Sequence, residues 1–304
     1  MAPSRGVLYM IASAFAFSVM SLLVKLASAR LPTGQIVLAR AVVTLVVSLL
    51  MVARLARRTG VARWGTRKAG LVLRGVLGFG GLTFYYLSLA HLPLADATTI
   101  QNTTPLLTAL LAWWLLREPV GWTTAIALVC GIAGVTLIVH PSGAGVDPVG
   151  VGAALAGTVC ASFAYVTVRQ LARTEHPLVI VLYFPIVATP LALPWALVTW
   201  VPPTATEWGL LLAIGLATQL GQVFLTMALV IERAARAMSV GYVQVAFAMA
   251  WQWMVFAHAP TAWTLGGAAL IVAGTLVVTR ADVRADVRAD ARAAAAGSPS
   301  SSPS

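Results

Sequence analysis

Ten apolar runs, each ended by charge, glycine or proline, account for nearly the whole chain: 6–28, 34–54, 70–90, 96–116, 120–140, 149–170, 178–201, 207–230, 236–257 and 261–280. Hydrocarbon is about 30 Å thick and a helix rises about 1.5 Å per residue, so about 20 apolar residues make one crossing. The connections between runs leave no room for a soluble domain. The pattern therefore predicts an all-α integral membrane protein of ten transmembrane helices. The first run, "LYMIASAFAFSVMSLLVKLAS", is too long for the core of a signal peptide and is expected to stay as the first span. After the tenth run comes "ADVRADVRADARAAAAGSPSSSPS", a low-complexity stretch with no apolar face to bury, expected to be a disordered cytoplasmic tail over 281–304.

The pattern also repeats. Residues 86–140 lie without gaps over residues 226–280, and the offset of 140 pairs Leu89 with Leu229, Ala95 with Ala235, Ala97 with Ala237, Trp113 with Trp253 and Gly134 with Gly274. Two five-span halves follow, 1–145 and 146–280. Five is odd, so the second half enters the membrane from the opposite side and the halves are inverted repeats. Carriers that work by alternating access share this architecture, with the substrate site near mid-membrane between the halves.

Composition agrees, with 60% hydrophobic and only 10% charged residues. The net charge of +11 would point to nucleic acid in a soluble chain, but its placement points to topology instead. With the N-terminus inside, 17 of the 20 basic residues fall in cytoplasmic segments, leaving Lys25, Arg30 and Arg40 on or toward the other side. The positive-inside bias thus predicts both termini in the cytoplasm of a cell with a bacterial-type inner membrane. Arg74 is counted here with the basic loop that precedes the third span. Cys130 and Cys160 each sit inside an apolar run and suggest packing, with no disulfide framework or metal cluster.

The chemistry worth attention lies where polar residues interrupt the apolar runs. In "TTIQNTTP", Thr98, Gln101, Asn102 and Pro105 fall at i, i+3, i+4 and i+7, one face of a helix. Amides facing lipid would be left unpaired, so this stripe is expected to face a wet cavity or other helices. Pro105 lacks an N–H, which leaves the carbonyl of Gln101 free to accept from a ligand or water. The same logic selects Tyr85 and Tyr86 in the third span, Tyr165 in the sixth and Tyr183 in the seventh. It also selects Gln219, Gln222 and Thr226 in the eighth, and Tyr242 and Gln244 in the ninth. The repeat offset pairs Asn102 with Tyr242. Arg40, about two turns into the second span, needs a partner, either Asp96 or a substrate carboxylate or phosphate. Pro185, Pro190 and Pro194 predict a kinked or broken seventh helix. Glu118 is expected to be structural, paired with Arg117 or a loop arginine.

The segment "YYLSLAHLPLADATTIQNTTPLLTALLAWWLLREP", the later "GIAGVTLIV" and the early "GQIVLARA" resemble the drug/metabolite transporter superfamily, specifically its EamA-type ten-span members. The resemblance covers residues 6–280. It implies two inverted five-helix repeats, a central cavity built from the first four helices of each half, and the fifth and tenth helices outside as support. The family's proline and terminal glutamate of the fourth span match Pro105 and Glu118, whereas the second half carries Val245 and His258 at those places. "LPLADAT" looks most like carriers of S-adenosylmethionine or riboflavin type.

The expected function is transport of a small organic metabolite, amino-acid-like, S-adenosylmethionine-like or riboflavin-like, by alternating access and without a cofactor. The substrate-contacting set is Thr98, Gln101, Asn102, Pro105, Tyr86, Tyr165, Gln222, Tyr242, Gln244 and Arg40, and the other partner is the lipid bilayer. All nine acidic residues and all four histidines fall at span ends or outside the spans, which disfavours a proton relay. A proton-coupled exporter of the same fold is the alternative. An intramembrane enzyme lacks a nucleophile–base or metal set, and a channel would need rings of polar residues from several subunits. A membrane scaffold would use the polar stripe for stability alone.

Overall fold

The computed structural model describes residues 4–92, 100–139, 147–256, 262–263 and 265–277. Its helices are α1 (Arg5–Ala27), α2 (Thr33–Thr59), α3 (Lys68–His91), α4 (Thr104–Leu116), α5 (Trp122–Val139), α6 (Pro148–Leu171), α7 (Pro177–Val198), α8 (Ala205–Ile231), α9 (Ala234–Gly241), α10 (Val243–Phe256) and α11 (Leu265–Val277). Six of them, α1, α2, α3, α6, α7 and α8, are long and apolar enough to cross a membrane. The remaining spans are shorter, and the ninth run is divided between α9 and α10. Large apolar side chains such as Leu50, Leu110, Val129, Leu197 and Leu220 stand exposed around the outside. A water-soluble surface rarely gathers so many, whereas acyl chains cover them without cost.

The packed pairs obey an internal two-fold. α1 packs on α8 as α6 packs on α3, α2 on α8 as α7 on α3, and α1 on α9 and α10 as α6 on α4, while α2 meets α7 and α4 meets α9. Exchanging each of the first five spans for its counterpart returns the same list of principal contacts. Small residues permit the closest of these approaches: a Cβ on Gly157 would lie 3.2 Å from the carbonyl oxygen of Gly81, so α6 and α3 touch backbone to backbone. α5 and α11 pack beside each other through Val135 and Ile271.

The connections collect at two faces, as alternate crossing requires. On the face that carries the basic loops, the Ser4 hydroxyl donates to Glu232 (2.6 Å) and Arg169 Nε to Glu118 (2.7 Å). On the other, Arg30 Nε donates to Glu207 (2.7 Å), Gln35 exchanges two bonds with the backbone of Val201 (2.8 and 3.1 Å), and His91 meets Asp147 (2.8 Å). Carboxylates serve as helix caps throughout. Asp147 accepts from the Val149 N–H at the start of α6, and this bond, followed by His91, holds its carboxyl below the usual range. Glu118 is structural, but its partners are Arg169 on α6 and the N–H of Ala234 at the start of α9 (3.0 Å), not Arg117.

α7 is one continuous helix through Pro185, Pro190 and Pro194, so of the kinked or broken helix expected there the break is absent. A buried helix tolerates an internal proline when its neighbours enclose the affected turn. Pro185 meets that condition, buried with Ala188, Ala192 and Ala196 on the side of α7 that packs on α2 and α3, whereas Pro190 and Pro194 lie on its exposed side.

Glu175, in the turn between α6 and α7, accepts from the Thr66 N–H (2.7 Å), the Thr66 hydroxyl (2.7 Å) and the Arg67 N–H (2.6 Å), thereby fixing the start of α3. Burial alone would raise this carboxyl, but the Arg67 N–H and the two Thr66 donors outweigh it and hold it below the ordinary value. Its contribution is complete above the ordinary carboxylate range and fades as the pH falls toward the lowered folded value. Glu175→Ala is expected to cost roughly 2 kcal/mol. In detergent, melting curves of the variant and the parent should differ at neutral pH and draw together as the pH falls below the ordinary carboxylate range.

Candidate substrate-binding site

Between the halves lies a cavity of about 230 Å³, lined by Phe17, Arg40, Arg74, Gly78, Gly81, Leu82, Tyr85, Gln101, Ala161, Ala164, Tyr165, Phe184, Gln222 and Gln244. Its walls come from α1, α2, α3 and the residues just before α4 in the first half, and from α6, α7, α8 and α10 in the second. Among the described residues α5 and α11 contribute nothing to it. A larger indentation of about 470 Å³ lies at the basic face around Arg169 and Arg233. An apolar groove of about 380 Å³ runs along the outer side of α2. Neither of these two reaches the polar side chains singled out in the sequence.

Five of the expected residues meet at the central cavity: Arg40, Gln101, Tyr165, Gln222 and Gln244. The others that are described lie elsewhere. Tyr86 turns away and packs edge-on against Trp195 (5.9 Å between centroids), beside Val37, Leu38 and Ala192, while its neighbour Tyr85 faces the cavity. Thr98 and Asp96 lie outside the described residues. Gln219 accepts from Ser48 (3.1 Å) and Tyr183 donates to the Trp64 carbonyl (2.8 Å), both structural uses.

The four-residue stripe does not run along one continuous helix. Residues 102–103 form a turn and α4 restarts at Thr104 with Pro105 in its first turn, where a missing N–H has no consequence. The carbonyl of Gln101, expected to be free, accepts from the Thr104 hydroxyl at 2.6 Å. The Ile100 carbonyl accepts from the Thr103 N–H (3.0 Å) and hydroxyl (2.6 Å), and hydroxyls from the second half add to these. Thr158 reaches the Ile100 carbonyl (3.3 Å), Ser162 that of Thr104 (3.2 Å), and Tyr242 that of Asn102 (2.9 Å). Asn102 thus contributes its backbone, and Tyr242, 2% exposed, buttresses the cavity from behind. Tyr242 itself occupies the break between α9 and α10, so the two interrupted helices cross at positions paired by the repeat.

Arg74 is the residue that sequence reasoning missed. Assigned to a loop, it lies about two turns inside α3 and is 2% exposed. Its Nη2 donates to Gln222 Oε1 (3.1 Å), while Nε and Nη1 have no partner. Arg40 has a buried Nε without a partner and a distant contact from Nη1 to the Met20 sulfur (3.9 Å). Both guanidiniums lie over the ring of Phe184, at 5.8 Å for Arg40 and 5.2 Å for Arg74. The signal was present: "AGLVLRGVLGFGG" is apolar on both sides of Arg74. The amide oxygen of Gln101 is also buried and unpaired.

A family model described as "EamA-like transporter family" matches the chain twice, over residues 4–140 and 148–280. The chain belongs to the EamA-like transporter family. Among its relatives, the pseudopaline exporter CntI of Pseudomonas aeruginosa is 38% identical over 280 residues, 90% of this chain and 96% of its own. Solute carrier family 35 member G1 of Mus musculus is 31% identical over 91% of this chain and 78% of its own. The S-adenosylmethionine uptake transporter of Rickettsia prowazekii is 26% identical over 61% of this chain and 63% of its own. One crystal structure superposes with a TM-score of 0.77 over 93% of this chain and 99% of its own at 21% identity, which shows a shared fold. The two matched stretches of the EamA-like model coincide with the two halves that the two-fold packing relates.

The crossing of the interrupted helices tolerates little bulk. A Cβ on Gly131 of α5 would fall 2.1 Å from the ring of Tyr242, which could not then keep its place. Tyr242→Phe, which loses one hydrogen bond, should cost about 1 kcal/mol. Gly131→Ala should lower the melting temperature further than Tyr242→Phe does, as followed by tryptophan fluorescence in detergent.

Proposed function

We propose that the chain is a secondary carrier that moves a small organic metabolite by alternating access, with the central cavity as its binding site. The observation that carries this reading is that three side chains lining one cavity between the halves keep buried polar atoms without partners: Arg40 Nε, Arg74 Nε and Nη1, and Gln101 Oε1. Buried polar groups left without partners cost several kcal/mol in a low-dielectric interior, so such a cluster persists where a ligand or water completes it. Gln101, Tyr165, Gln222, Gln244 and Arg40, together with Arg74 and Tyr85, are the proposed substrate contacts. Tyr242, Asn102 and Pro105 would shape the wall without touching the substrate.

The two carrier units are taken as 1–145 and 146–280, with 281–304 a cytoplasmic tail. The basic loops support an orientation with both termini in the cytoplasm and insertion in the cell's inner membrane. The relative named an exporter, at 38% identity, supports outward movement. No chemical turnover is part of the cycle. Among the described residues neither a carboxylate nor an imidazole lines the cavity, which supports exchange or facilitated movement over proton coupling.

Counterflow in proteoliposomes tests the reading, with labelled amino acids, S-adenosylmethionine, riboflavin and nucleosides as the panel. Uptake of at least one solute should saturate and be accelerated by the same solute inside. Linear flux, or chemical conversion of the solute, would reject a carrier. Gln101→Leu should lower counterflow about tenfold while the protein still reaches the membrane, the loss of one good hydrogen bond in a dry site. Uphill accumulation driven by a pH gradient alone would overturn the uncoupled mechanism.

A further inference from the structure

The cavity holds two cations and, among the described residues, no anion. A guanidinium drawn away from water bears a desolvation penalty unless a negative charge answers it, and here neither the buried Arg74 nor the half-buried Arg40 lies within ion-pairing range of a described carboxylate. Gln222 satisfies one nitrogen of Arg74, and the Phe184 ring offers its negative face to both side chains, yet both are neutral groups. The shared ring holds the two guanidinium carbons within about 11 Å of each other. The volume is below that typical of drug-sized sites, so the guest is small. Across the cavity Gln101 Oε1 presents an acceptor with no donor.

Accepting the cavity as the carrier's site, we propose that its substrates are small dicarboxylates carrying an amine or hydroxyl donor. One carboxylate pairs with Arg74, the other with Arg40, the connecting carbons lie along Phe184, and the donor reaches Gln101 Oε1. Guanidinium is suited to this task because its fork matches a carboxylate with two parallel bonds and it stays charged even when buried. Two cations on one aromatic ring favour two separate anionic groups over one, since a single carboxylate would leave the second guanidinium unanswered.

Binding measured at equilibrium separates this claim from the carrier reading. The purified full chain in detergent is titrated with glutamate, 2-hydroxyglutarate and succinate, and with the matching half-amides, at constant ionic strength, following thermal stabilisation. The dicarboxylates should stabilise saturably at concentrations at least tenfold lower than their half-amides. In Arg40→Gln and in Arg74→Gln that tenfold gap should shrink to less than threefold. Equal stabilisation of the parent by dicarboxylates and half-amides, or none by either, overturns the proposal even if both variants fail to fold. Stronger stabilisation by phosphoserine than by glutamate also overturns it, in favour of a phosphate monoester. If counterflow of a neutral solute survives in both variants, the carrier stands and the dicarboxylate assignment falls. If the gap is present while no solute shows counterflow, the assignment stands and the carrier reading falls.

Discussion

A helix interrupted within hydrocarbon releases backbone carbonyls that no water is at hand to satisfy, and the rest of this structure is arranged around answering them. The hydroxyls of Ser162 and Tyr242 donate to the carbonyls of Thr104 and Asn102, and that of Thr158 is shared between Ile100 and Ala154 of its own helix. All three come from the opposite half. The break in the first half is therefore closed partly by its own Thr103 and Thr104 and partly by the second half, and the two halves are joined by hydrogen bonds at their centre as well as by apolar contact. The same bonds set the orientation of the backbone just before α4 and with it the place of Gln101 at the cavity.

Charge is distributed by the same constraint. Each described carboxylate lies at a helix end, capping N–H groups or pairing across loops, where water and the exposed backbone offset its desolvation. The two arginines of the cavity are the exception. They are held by an aromatic face and an amide, interactions strong enough to orient a cation and too weak to neutralise it. A surrounding that orients without neutralising suits a site meant to exchange its partner.

Most of the fold was legible because one quantity, the length of an apolar run, decides whether a segment can span. The internal repeat was legible from matched residues, and the offset that paired Asn102 with Tyr242 joined two residues that do touch. Positions of breaks were less legible. Pro105 looked like an interruption and is a helix start, because the turn at 102–103 precedes it and Thr104 reaches back to the Gln101 carbonyl. α7 looked kinked or broken and is unbroken, with only Pro185 of its three internal prolines buried among neighbours. Arg74 was read from its neighbours in sequence, the basic loop, although its own position inside an apolar run was the better guide. Tyr85 and Tyr86 could not be separated by sequence alone, since only the rotation of α3 decides which of two adjacent rings looks inward.

The two-fold of the backbone is not shared by the charges. Arg40 and Arg74 both belong to the first half, while Phe184 and Gln222 belong to the second. The first half therefore supplies the cations of the cavity and the second an aromatic face and an amide. Duplication supplied a symmetric frame, and the placement of two side chains gave it a sense of direction.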